Sequence, residues 1–368
     1  MFSLQRRSGS RRAARRFTAA FTLGAFGLCG FSTLNAYAQT GWVRQYTGQQ
    51  APPGVRPLGT PACEGGYCPF WEPVDRNAYT ARLAASGGHL YQLQSSGAIY
   101  QYPEIPCTSQ CYGPGWWLRD FDPSTKAIYA DGDILYKLSR DGSVSKSSTG
   151  TAWSEVKSPD SGRLSIAVRS GKMASLYADG SIDVDSQGKL PTVDPSNQIV
   201  LDDHGDLYRL ANVHLTLPPS VSVDLFYVQL LRSGETDWRL LDYLGGERVA
   251  ISAGAWGKLY QLHNDGTIWR WKGTVCEGPS YCPGWEPLDN NPGTVKILAA
   301  GNELYQLHGD GSVWRYTGVP CNGDSCLGWE VLIADGVGQI AADSNRLYVL
   351  SQEAGFRPNG ARICSECL

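Results

Sequence analysis

The sequence predicts an all-β protein, a seven-bladed β-propeller of four-stranded antiparallel blades, ring-closed by N- and C-terminal half-blades and carrying loop disulfides. Three observations predict it. Residues 249–291 and 294–332 are near copies at an offset of about 45 residues, the size of one four-stranded blade. In them Asp265-Gly266 matches Asp310-Gly311, Trp269 matches Trp314, and Trp285 matches Trp329. A Leu-Tyr pair followed by a turn recurs at 90, 135, 176, 207, 259, 304 and 347. Finally, Trp42–Gly48 reads as the third strand of a blade and the end of the chain as only a first and second. The two ends therefore complete one blade, which leaves no open sheet edge in the ring.

The best repeat justifies the elements. Thr294–Ala299 is β-branched and apolar, and Gly301-Asn302 is a turn pair. Glu303–His308 and Ser312–Tyr316 flank the tight turn Gly309-Asp310-Gly311 as a hairpin. A loop bracketed by Cys321 and Cys326 follows, and a fourth strand begins at Trp329. No helical period fits. At the other end of the molecule, Cys63, Cys68 and Trp71-Glu72-Pro73 repeat the same loop and fourth strand. Residues 126–245 are more divergent, with no cysteine and only Trp153 and Trp238. There Leu217-Pro218-Pro219 and Asp224–Leu231 suggest an inserted strand or a longer loop. A count of six blades is the rival reading of this weaker arc.

Residues 1–38 read as a signal peptide. Arg6, Arg7, Arg11, Arg12, Arg15 and Arg16 form a basic start, 17–34 an apolar core, and Ala36-Tyr37-Ala38 a cleavage site. Residues 39–368 are then a single propeller domain, expected to be secreted or periplasmic. Removing six arginines leaves 26 basic against 35 acidic side chains, a net charge of −9. Such a surface suits neither nucleic acid nor insertion in a membrane. In an exported chain the ten remaining cysteines pair naturally by proximity, as Cys63/Cys68, Cys107/Cys111, Cys276/Cys282, Cys321/Cys326 and Cys364/Cys367.

Catalytic motifs are missing: there is no GxSxG elbow and no HExxH, and the five histidines are isolated in sequence. The chain is expected not to be an enzyme, with no cofactor and no metal. The acidic run Asp202–Asp206 reads as a solvated turn before it reads as a calcium site.

The arrangement LYxLxxDGxIWRxxG, then GWExL, then a β-branched run before the next LY, resembles the tectonin and tachylectin propellers. More loosely it resembles the chromosome-condensation regulator repeat. The likeness covers 247–332 best, 42–120 and 338–350 less well, and 150–245 poorly. It implies a sugar-binding, non-catalytic protein with sites repeated between blades; the cysteine loops depart from the common tectonin pattern.

In a propeller, blade-to-blade loops and the turns between strands two and three share one face. That face is expected to carry His263, Asn264 and Asp265, His308 and Asp310, and Asp289, Asn290 and Asn291. Such side chains can make paired hydrogen bonds to sugar hydroxyls. Trp269 and Trp314 could supply an apolar platform, or could instead stack on Arg270 and Arg315. Trp71, Trp117, Trp285 and Trp329 read as blade-packing residues. The expected partner is a glycan or glycoconjugate. The alternative is another protein bound through 126–245, as an inhibitor or surface-assembly module. A carbohydrate-active enzyme is the third reading.

Overall fold

The computed structural model describes residues 42–46, 71–103 apart from 76 and 78, 116–148, 152–217 apart from 186 and 191–193, 221–243, 248–277, and 282–351 apart from 324. The expected leader lies outside these residues, as do Cys63, Cys68, Cys107, Cys111, Cys364 and Cys367.

Seven four-stranded antiparallel sheets form the ring. Blades 1 to 6 span 80–121, 125–157, 163–189, 196–243, 248–289 and 294–333. In each, the strands lie in chain order from the first outward to the fourth. The closing blade takes Val337–Ala342 and Leu347–Ser351 from the end of the chain and Trp42–Tyr46 and Trp71–Asp75 from its start. Trp42 pairs with Ser351, Val43 with Leu350, Arg44 with Val349 and Gln45 with Tyr348. First strands of successive blades touch all the way round, so they form the inner wall.

Burial explains the repeat. Each blade is covered on both faces by its neighbours, so both members of the Leu-Tyr pair are interior. Leu90, Leu135, Leu207, Leu259, Leu304 and Leu347 are buried, and so are Tyr91, Tyr136, Tyr208, Tyr260, Tyr305 and Tyr348. Burial pushes the Tyr260 hydroxyl up to about 12. Leu83, Ile128, Ile166, Ile199, Ile251, Ile297 and Ile340 occupy one register position on the seven inner strands, and all are buried.

Blade 3 corrects one reading. Val168 pairs with Met173 there, whereas Ala85 pairs with Leu90 in blade 1. Met173-Ala174 therefore occupies the Leu-Tyr position, and Leu176-Tyr177 sits three residues late. Seven blades is right, with a substituted signature in the third.

Tryptophans staple four consecutive joints. Trp116 Nε1–H donates to the Val74 carbonyl, Trp71 to Leu332, Trp329 to Leu288 and Trp285 to Leu241, each on the fourth strand of the preceding blade. The packing residue in blade 1 is thus Trp116, not Trp117, which is 57% exposed on the outer strand. A doublet of tryptophans had hidden which one turns inward. The glycine before Trp329 is needed for close approach, because a Cβ on Gly328 would lie 1.8 Å from the Val319 carbonyl oxygen. Blade 1 and blade 3 meet blade 2 through ion pairs instead. Lys137 reaches Asp120 at 2.6 Å and Asp122 at 3.1 Å, and Lys157 reaches Asp183 at 2.9 Å.

The turns between first and second strands make a belt at one end of the ring. Asp343 accepts from Gly88 N–H, Ser86 from Gly132 N–H, Asp131 from Ser170 and Gly171 N–H, and Asp203 from Trp256 N–H. The same end carries two disulfide loops, Cys276–Cys282 and Cys321–Cys326. Each lies against the preceding blade: Cys276 N–H donates to the Leu240 carbonyl and Cys321 N–H to that of Pro287.

Blade 4 departs from the pattern. Its second and third strands, Leu207–Leu217 and Val221–Leu231, are eleven residues each, against five or six for the second strands elsewhere. They pair continuously from Leu207↔Leu231 to Leu217↔Val221. The hairpin therefore runs past the blade as a two-stranded ribbon at the end opposite the disulfide loops.

Candidate functional site

The end that carries the ribbon also carries the turns between second and third strands. In blade 6, His308 closes the second strand, Asp310-Gly311 makes the turn, and Trp314 lies on the third strand. Asp310 accepts the Ser312 N–H at 2.8 Å, and Gly311 takes φ +82° against the backbone of Gly336, which a side chain there would strike. His308 and Trp314 stack at 5.5 Å with ring planes 25° apart, and Trp314 Nε1–H donates to the Ser312 hydroxyl. Blade 5 repeats the unit. His263 stacks on Trp269 at 6.0 Å and 23°, Trp269 donates to the Thr267 hydroxyl, and Asp265 accepts from Thr267.

Blade 6 adds a pocket of about 500 Å³ lined by Asn291, His308, Asp310, Ser312 and Trp314, with Val331 as its apolar wall. Four of the sequence-predicted site residues thus meet in one cavity. His308 is 7% exposed and its Nε2 has no hydrogen-bond partner among the described residues. Burial holds this imidazole below its usual range, against the pull of Asp310, so it favours the neutral form. Burial pushes the Asp310 carboxyl up, but the bonds from Ser312 and the nearby His308 outweigh it and leave Asp310 below the usual range.

The remaining predicted residues are placed elsewhere. Asn264 and Asn290 are exposed, in the turn and the inter-blade connection of blade 5. Asn291 spends its side-chain oxygen on the Gly293 N–H. Asp289 is buried at the joint between blades 5 and 6, where burial pushes its carboxyl up and the Gln306 side chain donates to it. It belongs to a joint rather than to an open surface. Trp269 and Trp314 take histidines, not arginines, as ring partners. Arg270 and Arg315 pair instead with Glu286 and Glu330 on the neighbouring strand, with Nε–Oε1 distances of 2.7 and 2.6 Å.

The run Asp202–Asp206 is spent on its own turn. Asp202 accepts from the His204 and Asp206 N–H groups and from the Tyr208 hydroxyl, and Asp206 accepts from Ser233 N–H. Among the described residues no three His, Cys, Asp or Glu side chains group to hold a metal. None of the helices described is long and apolar enough to cross a membrane.

Two features were missed in the sequence. The ribbon was legible only as an irregularity, because its aliphatic alternation continues that of the blade. Trp256, 73% exposed at φ +61° in the turn 254–258, replaces a two-residue turn and had no repeat partner to flag it.

No protein-family model and no curated protein matches the chain. Solved structures do. Yeast RCC1 (Prp20) bound to Kap60 is 10% identical, with TM-score 0.57, over 94% of this chain and 97% of that one. Prp20p from Saccharomyces cerevisiae is 10% identical, with TM-score 0.56, over 87% and 93%. KlAtg21 in complex with the coiled-coil of AgAtg16 is 9% identical, with TM-score 0.51, over 75% and 95%. At these identities the likeness is one of fold: the chain is a seven-bladed β-propeller similar in fold to yeast RCC1.

Proposed function

We propose that this chain is an exported, non-catalytic binding propeller that recognises another protein, with the ribbon of blade 4 as its principal contact. The observation that carries this is the ribbon's register. Val213↔Leu225, Leu215↔Val223 and Leu217↔Val221 fall on one face, while His214↔Asp224 and Thr216↔Ser222 fall on the other. Six aliphatic residues in this register, alternating with polar ones, make the pattern of a ribbon that a partner protein covers on one side. The ribbon lies within 126–245, the arc that departs from the repeat. Propellers of like fold support the reading: Prp20 is seen bound to Kap60, and KlAtg21 in complex with a coiled-coil.

A photo-crosslinking residue at Leu215 tests it. The expected result is one dominant protein adduct, absent when the residue stands at Lys146 in blade 2. Equal adducts from both positions would contradict the reading.

A second reading, a glycan-binding propeller, is favoured by the pocket at Trp314. It offers an indole, a neutral imidazole and an acidic turn side by side, the mixture of apolar platform and polar groups that a sugar needs. A glycan array tests it. Binding weakened by Trp314→Ala and weakened further on adding Trp269→Ala would favour a lectin, and an array without signal would exclude it.

A further inference from the structure

The joint between blades 3 and 4 lacks the side chain that fills every other joint. In the other six blades the second member of the Leu-Tyr pair is a buried tyrosine, and its ring enters the apolar cluster shared with the next blade. Tyr208 shares its cluster with Ile251 and Leu259, Tyr305 with Ile340 and Leu347, and Tyr348 with Leu83 and Leu90. Blade 3 carries Ala174 at that position, clustered with Ile199 and Leu207 of blade 4. An alanine there leaves the volume of an aromatic ring unfilled, and a packed interior closes only partly around such a gap.

A cavity of about 280 Å³ lies at this joint. Val184, Leu201, Leu207 and Leu231 wall it, and all four pack in the cluster of Ala174. Ala174 pairs with Val184 across the strands, so the two share a face. A cavity of about 150 Å³ with such walls already takes a benzene molecule, so this one has room for a ring and its substituents. Gly171, Arg232, Ser233 and Gly234 line it and are exposed, so it opens to solvent at the turn-belt end. The ribbon is at the far end of the same hairpin, which runs from Leu207↔Leu231 at the cavity to Leu217↔Val221.

The polar lining favours an acid. Lys172 reaches from blade 3 across the opening and donates to the Ser233 hydroxyl at 2.5 Å and the His204 carbonyl at 3.1 Å, both neutral acceptors on blade 4. Arg232 lines the same opening, and neither cation has a carboxylate partner among the described residues. The one acid in the lining, Asp185, is answered by Lys157 at 2.8 Å. Gln187 lines the cavity too. Its Nε2 donates to the Glu235 carbonyl at 2.8 Å, while its Oε1 is buried with no hydrogen-bond partner among the described residues. A buried acceptor left in this state is stabilised by any ligand that brings a donor.

We propose that this cavity binds a phenolic acid. Its ring stands where the other joints hold a tyrosine ring, its carboxylate meets Lys172 and Arg232, and its hydroxyl donates to Gln187 Oε1. The apolar walls supply the burial, and the two cations and the amide fix the orientation, the division of labour usual in small-molecule pockets. A free hydroxyaryl acid and the C-terminal tyrosine of a peptide both offer this chemistry.

The test is titration calorimetry and thermal melting of residues 39–368 with 4-hydroxyphenylacetate, phenylacetate, phenol and acetate at constant ionic strength. 4-Hydroxyphenylacetate should bind and raise the melting temperature, phenylacetate and phenol should bind more weakly, and acetate should not bind. Ala174→Tyr restores the residue of the other six blades, so it should melt no lower than the wild type and lose the ligand. Lys172→Gln/Arg232→Gln changes only the opening, and decides the matter if the tyrosine variant does not fold. It should bind 4-hydroxyphenylacetate about tenfold more weakly, for the loss of charge-assisted bonds, and phenol as the wild type does. A peptide ending in tyrosine is the further arm. Binding tighter than that of 4-hydroxyphenylacetate identifies a protein C-terminus as the source, and weaker binding identifies the free acid. No binding of any ring-bearing probe, acetate binding as tightly as the phenolic acid, or unchanged binding of that acid by either folded variant overturns the proposal. A ribbon-shortened chain should keep the cavity, so failure here is distinct from failure of the protein-binding reading.

Discussion

Gln261 donates its side-chain amide to the Asp242 carboxylate across the joint between blades 4 and 5, at 2.8 Å, and Asp242 is fully buried there. The same two register positions are filled in a correlated way at three other joints. Asp289 faces Gln306, Asp120 faces Lys137, and at the closing joint Ile333 and Val349 replace both and share one apolar cluster. A buried carboxylate is tolerated where an amide or ammonium answers it, and at the closing joint both give way to apolar side chains together.

This makes the joint exchangeable as a pair. Gln306→Val alone leaves Asp289 buried without its side-chain donor and should cost about 1–3 kcal/mol. Adding Asp289→Ile, which copies the closing joint, should recover most of that loss. Denaturant unfolding of both variants checks it, and a double variant no more stable than the single one would refute the pairing.

The tryptophan staples are directional. Trp329→Phe keeps most of the ring but removes the donor to Leu288, and should destabilise by about 1 kcal/mol. Trp117→Ala, at an exposed site, should leave the melting temperature nearly unchanged. Thermal melts of the two separate the roles.

His308 makes stability depend on pH. Its folded value is depressed, so its contribution is present above the unfolded value of about 6.5 and is lost as pH falls through the depressed one. Between those values the unfolded chain takes up a proton that the folded imidazole refuses. His308→Gln, the residue that blade 1 carries at Gln94, should lose less stability than the wild type between about pH 7.5 and about pH 5.5. Parallel acid shifts in the two proteins would contradict this.

The two described disulfides close short loops, each worth about 2 kcal/mol on a loop-entropy estimate. Reduction should lower the melting temperature, and peptide mapping without reduction should find Cys276 linked to Cys282 and Cys321 to Cys326.

The ring was legible because its repeat is enforced by burial on both faces. Leu-Tyr pairs, Asp-Gly turns and the complementary half-blades each report a constraint imposed again in every blade. The site was less legible for the opposite reason. Asp289 resembles a surface ligand in sequence, since only the next blade's Gln306 makes it interior. His308 and Trp314 were visible as repeated residues, but nothing local says that one blade encloses a pocket between them. The eleven-residue strands of blade 4 keep the same alternation as the blade, and so hid the ribbon.

The most direct test of protein recognition by that ribbon replaces residues 213–225 with an Asn-Gly turn, which restores a short hairpin. Quantitative affinity capture would compare the shortened chain with residues 39–368, with circular dichroism confirming that both are folded. The account predicts one protein captured by the intact chain and lost with the ribbon, which then binds the purified intact chain one to one. Capture unchanged by removal of the ribbon would contradict it.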